Sequence, residues 1–302
     1  MTAEVSMIDH LDLASIDSLT SGRLGQHDVP CPLCGPTKRA RVNQRRKVLR
    51  IWRLDPGFAG YHCARCGEKG SSRDRNASPP DPVALQRAQA EAIERERVAA
   101  GERLAKAAWL WSQRLAISGT DAETYLRETR GYGGPLPGTL GFLRGRGEHP
   151  PALIAAFGLP VEPDPGVIHM PAEALRGVHI TRLAPGGRGK AGTETDKIMI
   201  GRSAGSPIVL APVNDLLGLA VAEGIEDALS VHEATGLGAW AAGAASRLPA
   251  LAEALPAYVE SLTIMVDDDR DGRRHAGELV GLVERRGVEV RPILLTQHQE
   301  AA

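Results

Sequence analysis

The sequence predicts an α/β protein in four parts: an N-terminal β zinc ribbon, a helical linker, a mixed α+β intermediate region, and a C-terminal parallel, doubly wound domain. Three observations carry this prediction. From about Leu216 onward, short apolar runs of strand type alternate with helical segments, the order of a parallel sheet with crossover helices. Two C-x-x-C pairs, Cys31/Cys34 and Cys63/Cys66, bracket a segment rich in β-formers. A stretch of roughly thirty residues reaching Ala116 is dominated by Ala, Glu, Arg and Leu, the composition of a long solvated helix.

Taken in order, residues 1–70 hold a leader, with a helix expected over 8–19, and the cysteine-bearing ribbon. Residues 71–118 are linker and long helix. The polar run 71–80 reads as loop, Asp81 as N-cap and Pro82 as first helical residue, with Gly101 a weak point. Trp109 and Trp111, near the helix end, are expected to dock on the next domain. Residues 119–207 form the intermediate region. It contains the turn-rich runs GYGGPLPG and PGGRGKAG and strands expected over 177–183 and 196–200. In 208–302 the expected order is strand 217–222, helix 225–235, strand 237–241, helix 249–259, strand 262–266, helix 272–286 and strand 288–295.

At 42% hydrophobic and 24% charged residues the chain has the makings of an ordinary soluble core, and with 4% aromatics that core rests on Leu, Val, Ile and Ala. No apolar run approaches the ~20 residues a membrane helix needs. The start MTAEVSMIDHLDLASID is acidic and lacks the basic and apolar regions of a signal peptide, so the expected location is the cytoplasm, with no membrane partner. Cysteines in a reducing compartment are metal ligands or free thiols rather than disulfides.

Cys31-Pro-Leu-Cys34 and Cys63-Ala-Arg-Cys66 are separated by 28 residues. Zinc takes four thiolates at tetrahedral corners, and each tight C-x-x-C turn supplies two of them. Gly35 and Gly67 follow the two turns, where the backbone passes close to sulfur. The run 48–54 between the pairs suits a β-hairpin. That interval also carries Lys38, Arg39, Arg41, Arg45, Arg46, Lys47, Arg50 and Arg53, opposed only by Asp55, with Trp52, Phe58 and Tyr61 interleaved or following. A cationic hairpin with aromatics can bind single-stranded nucleic acid by pairing phosphates and stacking bases. The competing reading is a solvated basic face with core aromatics.

The second constellation is acidic. Glu223-Gly224 follows the apolar run 219–222, and Asp267-Asp268-Asp269-Arg270-Asp271-Gly272 follows the apolar run 263–266. In a parallel sheet both fall at strand carboxyl ends, where such folds bind ligands. Carboxylates converging there call for a cation, and Mg²⁺ is the hard, oxygen-seeking ion that shares its shell with phosphates. Asp267, Asp269, Asp271, Gly272 and Glu278 also fit a calcium-loop pattern, but a strand precedes them where an EF-hand needs a helix. Helix capping would account for one Asp but not for the whole set. Gly186-Gly187-Arg188-Gly189-Lys190 lacks the spacing of a phosphate loop and the Ser or Thr that follows its Lys.

At these residues the sequence resembles the Toprim family, whose signature is Glu-Gly after one strand and Asp-x-Asp after a later one. Here the matching residues are Glu223-Gly224, with Asp227 in the extended form E-G-x-x-D, and Asp267-Asp268-Asp269; Ala242-Gly243-Ala244 sits where the family carries a glycine turn. With the ribbon CPLC…YHCARCGEKG in front, the pattern is most similar to the primases of bacteria, phages and plasmids. The resemblance implies a DNA primase making short RNA primers on single-stranded DNA from nucleoside triphosphates, with structural Zn²⁺ and catalytic Mg²⁺ or Mn²⁺. It implies catalytic roles for Glu223, Asp267 and Asp269, with Asp227 and Asp271 as further magnesium ligands. Arg39, Arg41, Arg45, Arg46, Lys47, Arg50 and Trp52 are candidates for nucleic-acid contact, and Arg182, Lys190, Lys197 and Arg202 for template or triphosphate contact; ordinary surface charge is the alternative for each of these last four. The sequence departs from the family in offering four cysteines where a bacterial primase has a histidine ligand, and in having no segment for a helicase, which would then be a separate partner. A non-enzymatic DNA-binding protein resembling a recombination mediator and a Toprim nuclease are the rival functions.

Overall fold

The structure is a computed structural model that describes residues 10–35, 44–74, 82–193 and 195–295. The chain divides into two compact units, Met1–Arg97 and Val98–Ala302.

The first unit contains helix α1 (Leu13–Thr20) and strands β1 (Gly25–Pro30), β2 (Lys47–Asp55), β3 (Phe58–Cys63) and β4 (Lys69–Arg73), the strands forming one antiparallel sheet in that order. Alternation along β2 and β3 puts Leu49, Ile51, Ala59, Tyr61 and Cys63 on one face, where they pack with Leu11, Ile16, Cys31 and Cys34. The leader is thus part of the ribbon core. Asp12 caps α1 by accepting from Ser15 N at 2.8 Å, and the Tyr61 hydroxyl contacts His10 Nδ1 at 2.7 Å. Residues 71–73, expected as linker, instead complete β4, because the edge of a sheet accepts polar residues such as Ser71 and Ser72. Helix α2 (Pro82–Ser112) follows; its expected cap, Asp81, lies outside the described residues.

The second unit holds two sheets. After the short helix α3 (Asp121–Thr124), which continues into a wider π-type turn Tyr125–Thr129, come β5 (Leu140–Leu143), β6 (Ala152–Phe157), the hairpin β7 (Val161–Asp164) and β8 (Val167–His169), β9 (Gly177–Arg182) and β10 (Lys197–Gly201). Strands β10-β9-β6-β5 form an antiparallel sheet. All six residues of β6 are buried, which hides the alternation that marks a half-buried strand. One face of β6 meets Ala107 and Trp111 of α2. Trp109, two positions earlier and so on the far side of the helix, is 55% exposed, contrary to the expected docking.

The remaining strands are β11 (Ile208–Ala211), β12 (Gly218–Ala222), β13 (Gly238–Ala241), β14 (Ser261–Asp267) and β15 (Glu289–Leu295), with helices α4 (Ile225–Thr235) and α5 (Arg270–Glu284). The sheet order is β11-β13-β12-β14-β15, parallel except for antiparallel β11. Ile225, Ala228 and Leu229 of α4 belong to one hydrophobic core, and Ala276, Leu279 and Val283 of α5 to the other, so the sheet is covered on both faces. The helix expected over 249–259 is instead one 3₁₀ turn, Pro249–Glu253, preceded by another at Ala245–Arg247; Pro256, which has no N–H to donate, stops any continuation toward 259. The chain leaves β12 for β13 on one side and returns to β14 on the other. The carboxyl ends of β12 and β14 therefore flank a topological switch point, the crevice where open α/β sheets bind ligands.

Candidate functional site

The four cysteines converge. Their sulfurs lie within 4.8 Å of one another, with Cys31 and Cys66 at 4.0 Å and Cys34 and Cys63 at 3.9 Å. A tetrahedral zinc with sulfur ligands at about 2.3 Å requires an edge of about 3.8 Å, so the set fits the ion. A disulfide would need about 2.05 Å. Burial pushes the Cys31 and Cys34 thiols up, so a set of thiolates here requires a cation. The turns that shape the site donate from Gly35 N to Cys31 O and from Gly67 N to Cys63 O, both at 2.9 Å. A Cβ on Gly35 would lie 2.6 Å from Cys31 O, and Gly67 has φ +75°, so both positions demand glycine.

On the face of the ribbon sheet opposite its core, strand register aligns Arg50 with His62 and His62 with Lys69, and Trp52 with Gly60. Arg45, Arg46 and Lys47 are exposed at the start of β2. Arg50 already forms a two-pronged pair with Asp28, at 2.8 and 3.0 Å. Arg53 faces inward, 3% exposed, bound to Asp17 and to the carbonyls of Asp55 and Pro56. Lys38, Arg39 and Arg41 lie outside the described residues.

The carboxylates gather at the switch point. Glu223 follows β12, Asp267 closes β14, and Asp227 lies in the first turn of α4. Asp269 is the N-cap of α5, its Oδ1 accepting from Gly272 N at 2.6 Å. The glycine turn after β13 fixes the backbone of Glu223: Ala242 N donates to Ala222 O and Gly243 N to Glu223 O, both at 2.9 Å. Burial, the neighbouring Asp267 charge and a hydrogen bond to it raise the Glu223 carboxyl to about 7, against the pull of Lys197. Asp227 is also raised, by burial and then by the charges of Glu226 and Asp267. A divalent cation relieves this crowding of like charges. Among the described residues only the cysteines bring three or more ligand atoms within 4.8 Å of one another, so the carboxylates stand farther apart than the thiols. Asp268 and Asp271 turn instead toward Arg273 and Arg274.

Residues 218–301 match the family model described as the Toprim domain. The C-terminal sheet is a Toprim domain. Residues 101–210 match a second family model, described as a domain of unknown function (DUF7146). No curated protein matches the chain. Two solved structures are similar to it. The zinc-binding and RNA polymerase domains of the Aquifex aeolicus primase share 14% identity, with 96% of this chain and 78% of that one covered and a TM-score of 0.39. The primase fragment of the bacteriophage T7 primase-helicase protein shares 13% identity, with 89% and 90% covered and a TM-score of 0.34.

Beside the Toprim carboxylates the structure places basic residues from the preceding sheet. Lys197, on β10, reaches Glu226 Oε2 at 3.8 Å. Lys190, in the glycine-rich loop after β9, is half-buried, and its ammonium is pushed down by burial and by the Lys197 charge. Arg182 turns away to Thr195 O at 3.0 Å, and Arg202 is exposed beyond β10. Neither forms an ion pair among the described residues.

Sequence reasoning missed three residues here. Glu226 accepts from the Tyr125 hydroxyl at 2.7 Å, and Arg130 Nε donates to the same hydroxyl at 3.0 Å. Burial pushes Glu226 up, but Lys197 and the Tyr125 hydrogen bond outweigh it and hold the carboxyl down at about 2. Tyr125 and Arg130 meet because the π-type turn bonds residues five apart, Arg130 N to Tyr125 O at 3.0 Å. No local motif announces this group; its members lie far apart in the chain.

Proposed function

We propose that this chain is a DNA primase, joining nucleoside triphosphates into short primers on a single-stranded DNA template. The observation that carries the reading is the juxtaposition of Glu223, Asp267 and Asp269 with Lys190 and Lys197 in one compact unit. Carboxylates alone would suit many metal-dependent reactions. Carboxylates beside cations suit a substrate that brings both a metal-binding polyphosphate and excess negative charge.

On this reading Asp267 and Asp269 hold Mg²⁺ or Mn²⁺, with Asp227 in support. The ion would activate the attacking 3′-hydroxyl and stabilise the leaving pyrophosphate. Glu223, which follows β12, takes the proton of the attacking hydroxyl in its ionised form. Lys190 and Lys197 hold the triphosphate. The outer face of the zinc ribbon, with Arg45, Arg46, Lys47 and Trp52, binds template by charge and stacking. Arg50 adds to it after exchanging Asp28 for phosphate. Residues 1–70 thus serve the template, 119–207 supply the basic half of the core, and 208–302 the acidic half.

The test is to incubate the protein with single-stranded DNA, labelled ribonucleoside triphosphates and Mg²⁺ or Mn²⁺. Short labelled products that require the template support the reading. Shortened DNA without nucleotides would indicate a nuclease. Bound, intact DNA with no product would indicate a binding protein.

A further inference from the structure

We propose that Glu226 is a positioning residue that holds Lys197, and through Tyr125 also Arg130, as a pre-formed seat for the polyphosphate of the incoming nucleotide. The inference rests on the reading of the site as a nucleotidyltransferase centre and extends it to residues that make no direct claim on a metal.

Glu226 sits in the first turn of α4, three residues beyond Glu223, with its side chain 13% exposed. Both carboxylate oxygens face the preceding sheet region: Oε1 accepts from Tyr125 and Oε2 pairs with Lys197. A buried carboxylate is retained only with compensating partners, and both of these partners come from outside the Toprim domain.

The surrounding cations need such a partner. Arg130, Lys190 and Lys197 all act on Glu226 or on one another across this space. Unopposed, like charges spread apart, and a lysine side chain gives up rotamer freedom when it is fixed. One fixed anion behind them holds the group together and leaves its open side toward solvent; the Lys197 side chain is 38% exposed and Arg130 is exposed.

The glycine-rich loop supplies the fourth wall. Gly187 packs so closely on α3 that a Cβ there would lie 2.2 Å from Asp121 O, and its carbonyl accepts from Thr129 Oγ1 at 2.9 Å. Lys190, three residues on, lies close enough to Arg130 and Lys197 for both charges to act on it. The ligand that fits three cations beside a metal-binding carboxylate set is a polyphosphate with its divalent cation.

The experiment measures binding of inorganic tripolyphosphate with Mg²⁺ by calorimetry for the full chain, the E226Q and K197M variants and the double variant, alongside primer synthesis by each. K197M is expected to weaken binding about tenfold. E226Q is expected to weaken it several-fold, and the double variant to lose much less than the product of the two single losses, because Glu226 acts in part through Lys197; the remaining loss below K197M is the part carried through Tyr125 and Arg130. Nucleotide KM should rise with kcat nearly unchanged. Independent, multiplying losses, or tighter binding by E226Q, would overturn the proposal. Should E226Q fail to fold, E226D, which keeps the charge but withdraws it from Lys197, replaces it in the same cycle. Coupled tripolyphosphate binding without primer synthesis would leave the seat standing and remove the primase reading; primer synthesis with no coupling would do the reverse.

Discussion

Tyr125 and Glu226 stand 101 residues apart in sequence and meet through one 2.7 Å hydrogen bond. The bond joins the π-type turn after α3 to the first turn of the first Toprim helix. It also satisfies one oxygen of a carboxylate whose side chain is only 13% exposed. Removing the hydroxyl should therefore cost more than an ordinary surface contact. Tyr125→Phe is expected to lower stability by about 2 kcal/mol, the range for a buried charged acceptor deprived of a donor. Urea unfolding of the variant and the parent, compared at equal m-value, checks this.

The cysteine quartet makes a separate prediction. Three of the four cysteines are buried in the ribbon core, so the metal site and the hydrophobic cluster are one structure. Cys34→Ser should lose bound zinc, and the ribbon should become protease-sensitive, as small zinc-dependent folds do without metal. Elemental analysis gives the zinc content, and limited proteolysis reports the ribbon. Full zinc retention in the variant would contradict the ligand assignment.

Acid should act on the second unit through buried groups whose shifts oppose one another. His179 is buried against Phe157, and burial followed by the Lys197 charge lowers its pKa from 6.5 to about 4. Between those values the unfolded chain binds a proton that the folded chain does not. His179 therefore contributes a loss of up to about 3 kcal/mol as pH drops from 6.5 to 4, levelling off below 4, while Glu223, raised to about 7, contributes an offsetting gain between 7 and 4.5. Glu226, held at about 2 by Lys197 and Tyr125 despite its burial, contributes stability that is intact above 4.5 and lost as pH falls toward 2. His179→Gln should remove the loss and leave the gain, so the stability of the variant should rise relative to the parent as pH falls from 6.5 to 4, with the fall toward pH 2 unchanged; urea unfolding across this range checks it.

Two glycines of the same loop separate strain from clash. Gly187 and Gly192 have φ +68° and +70°, but a Cβ at Gly187 strikes backbone while one at Gly192 meets open space. Gly192→Ala should cost about 1 kcal/mol from conformation alone. Gly187→Ala should cost at least twice that and raise the nucleotide KM, because it displaces Lys190. Thermal unfolding and nucleotide titration of the two variants check the difference.

The sequence makes legible the features that lie close together along the chain. The cysteine turns, Glu223-Gly224 after its strand and the Asp cluster after another are contiguous signals. Helix α4 is readable at its true limits because Gly224 and Gly236 mark both ends, the latter in the left-handed conformation. Strands β5 and β6 escape a reading by pattern because β6 is buried on both faces and carries no alternation. The helix expected after β13 is lost to proline chemistry, and the strand β4 is hidden by its polar residues. Tyr125, Arg130 and Glu226 are illegible for a different reason. Each is ordinary in its local context, and only the packing of the π-type turn and the β10-β9-β6-β5 sheet against the Toprim domain gives them a common role.

The central claim, that the Toprim carboxylates drive template-directed synthesis, is best tested at Asp269. This residue caps α5 as well as standing in the acidic set, so an alanine would confuse lost chemistry with a lost cap worth about 1 kcal/mol. Asparagine caps nearly as well and removes only the charge. Primer synthesis by Asp269→Asn on single-stranded DNA, measured with zinc content and melting temperature matched to the parent, is expected to fall at least a hundredfold. Synthesis at the parent rate by a normally folded, zinc-loaded variant would contradict the account.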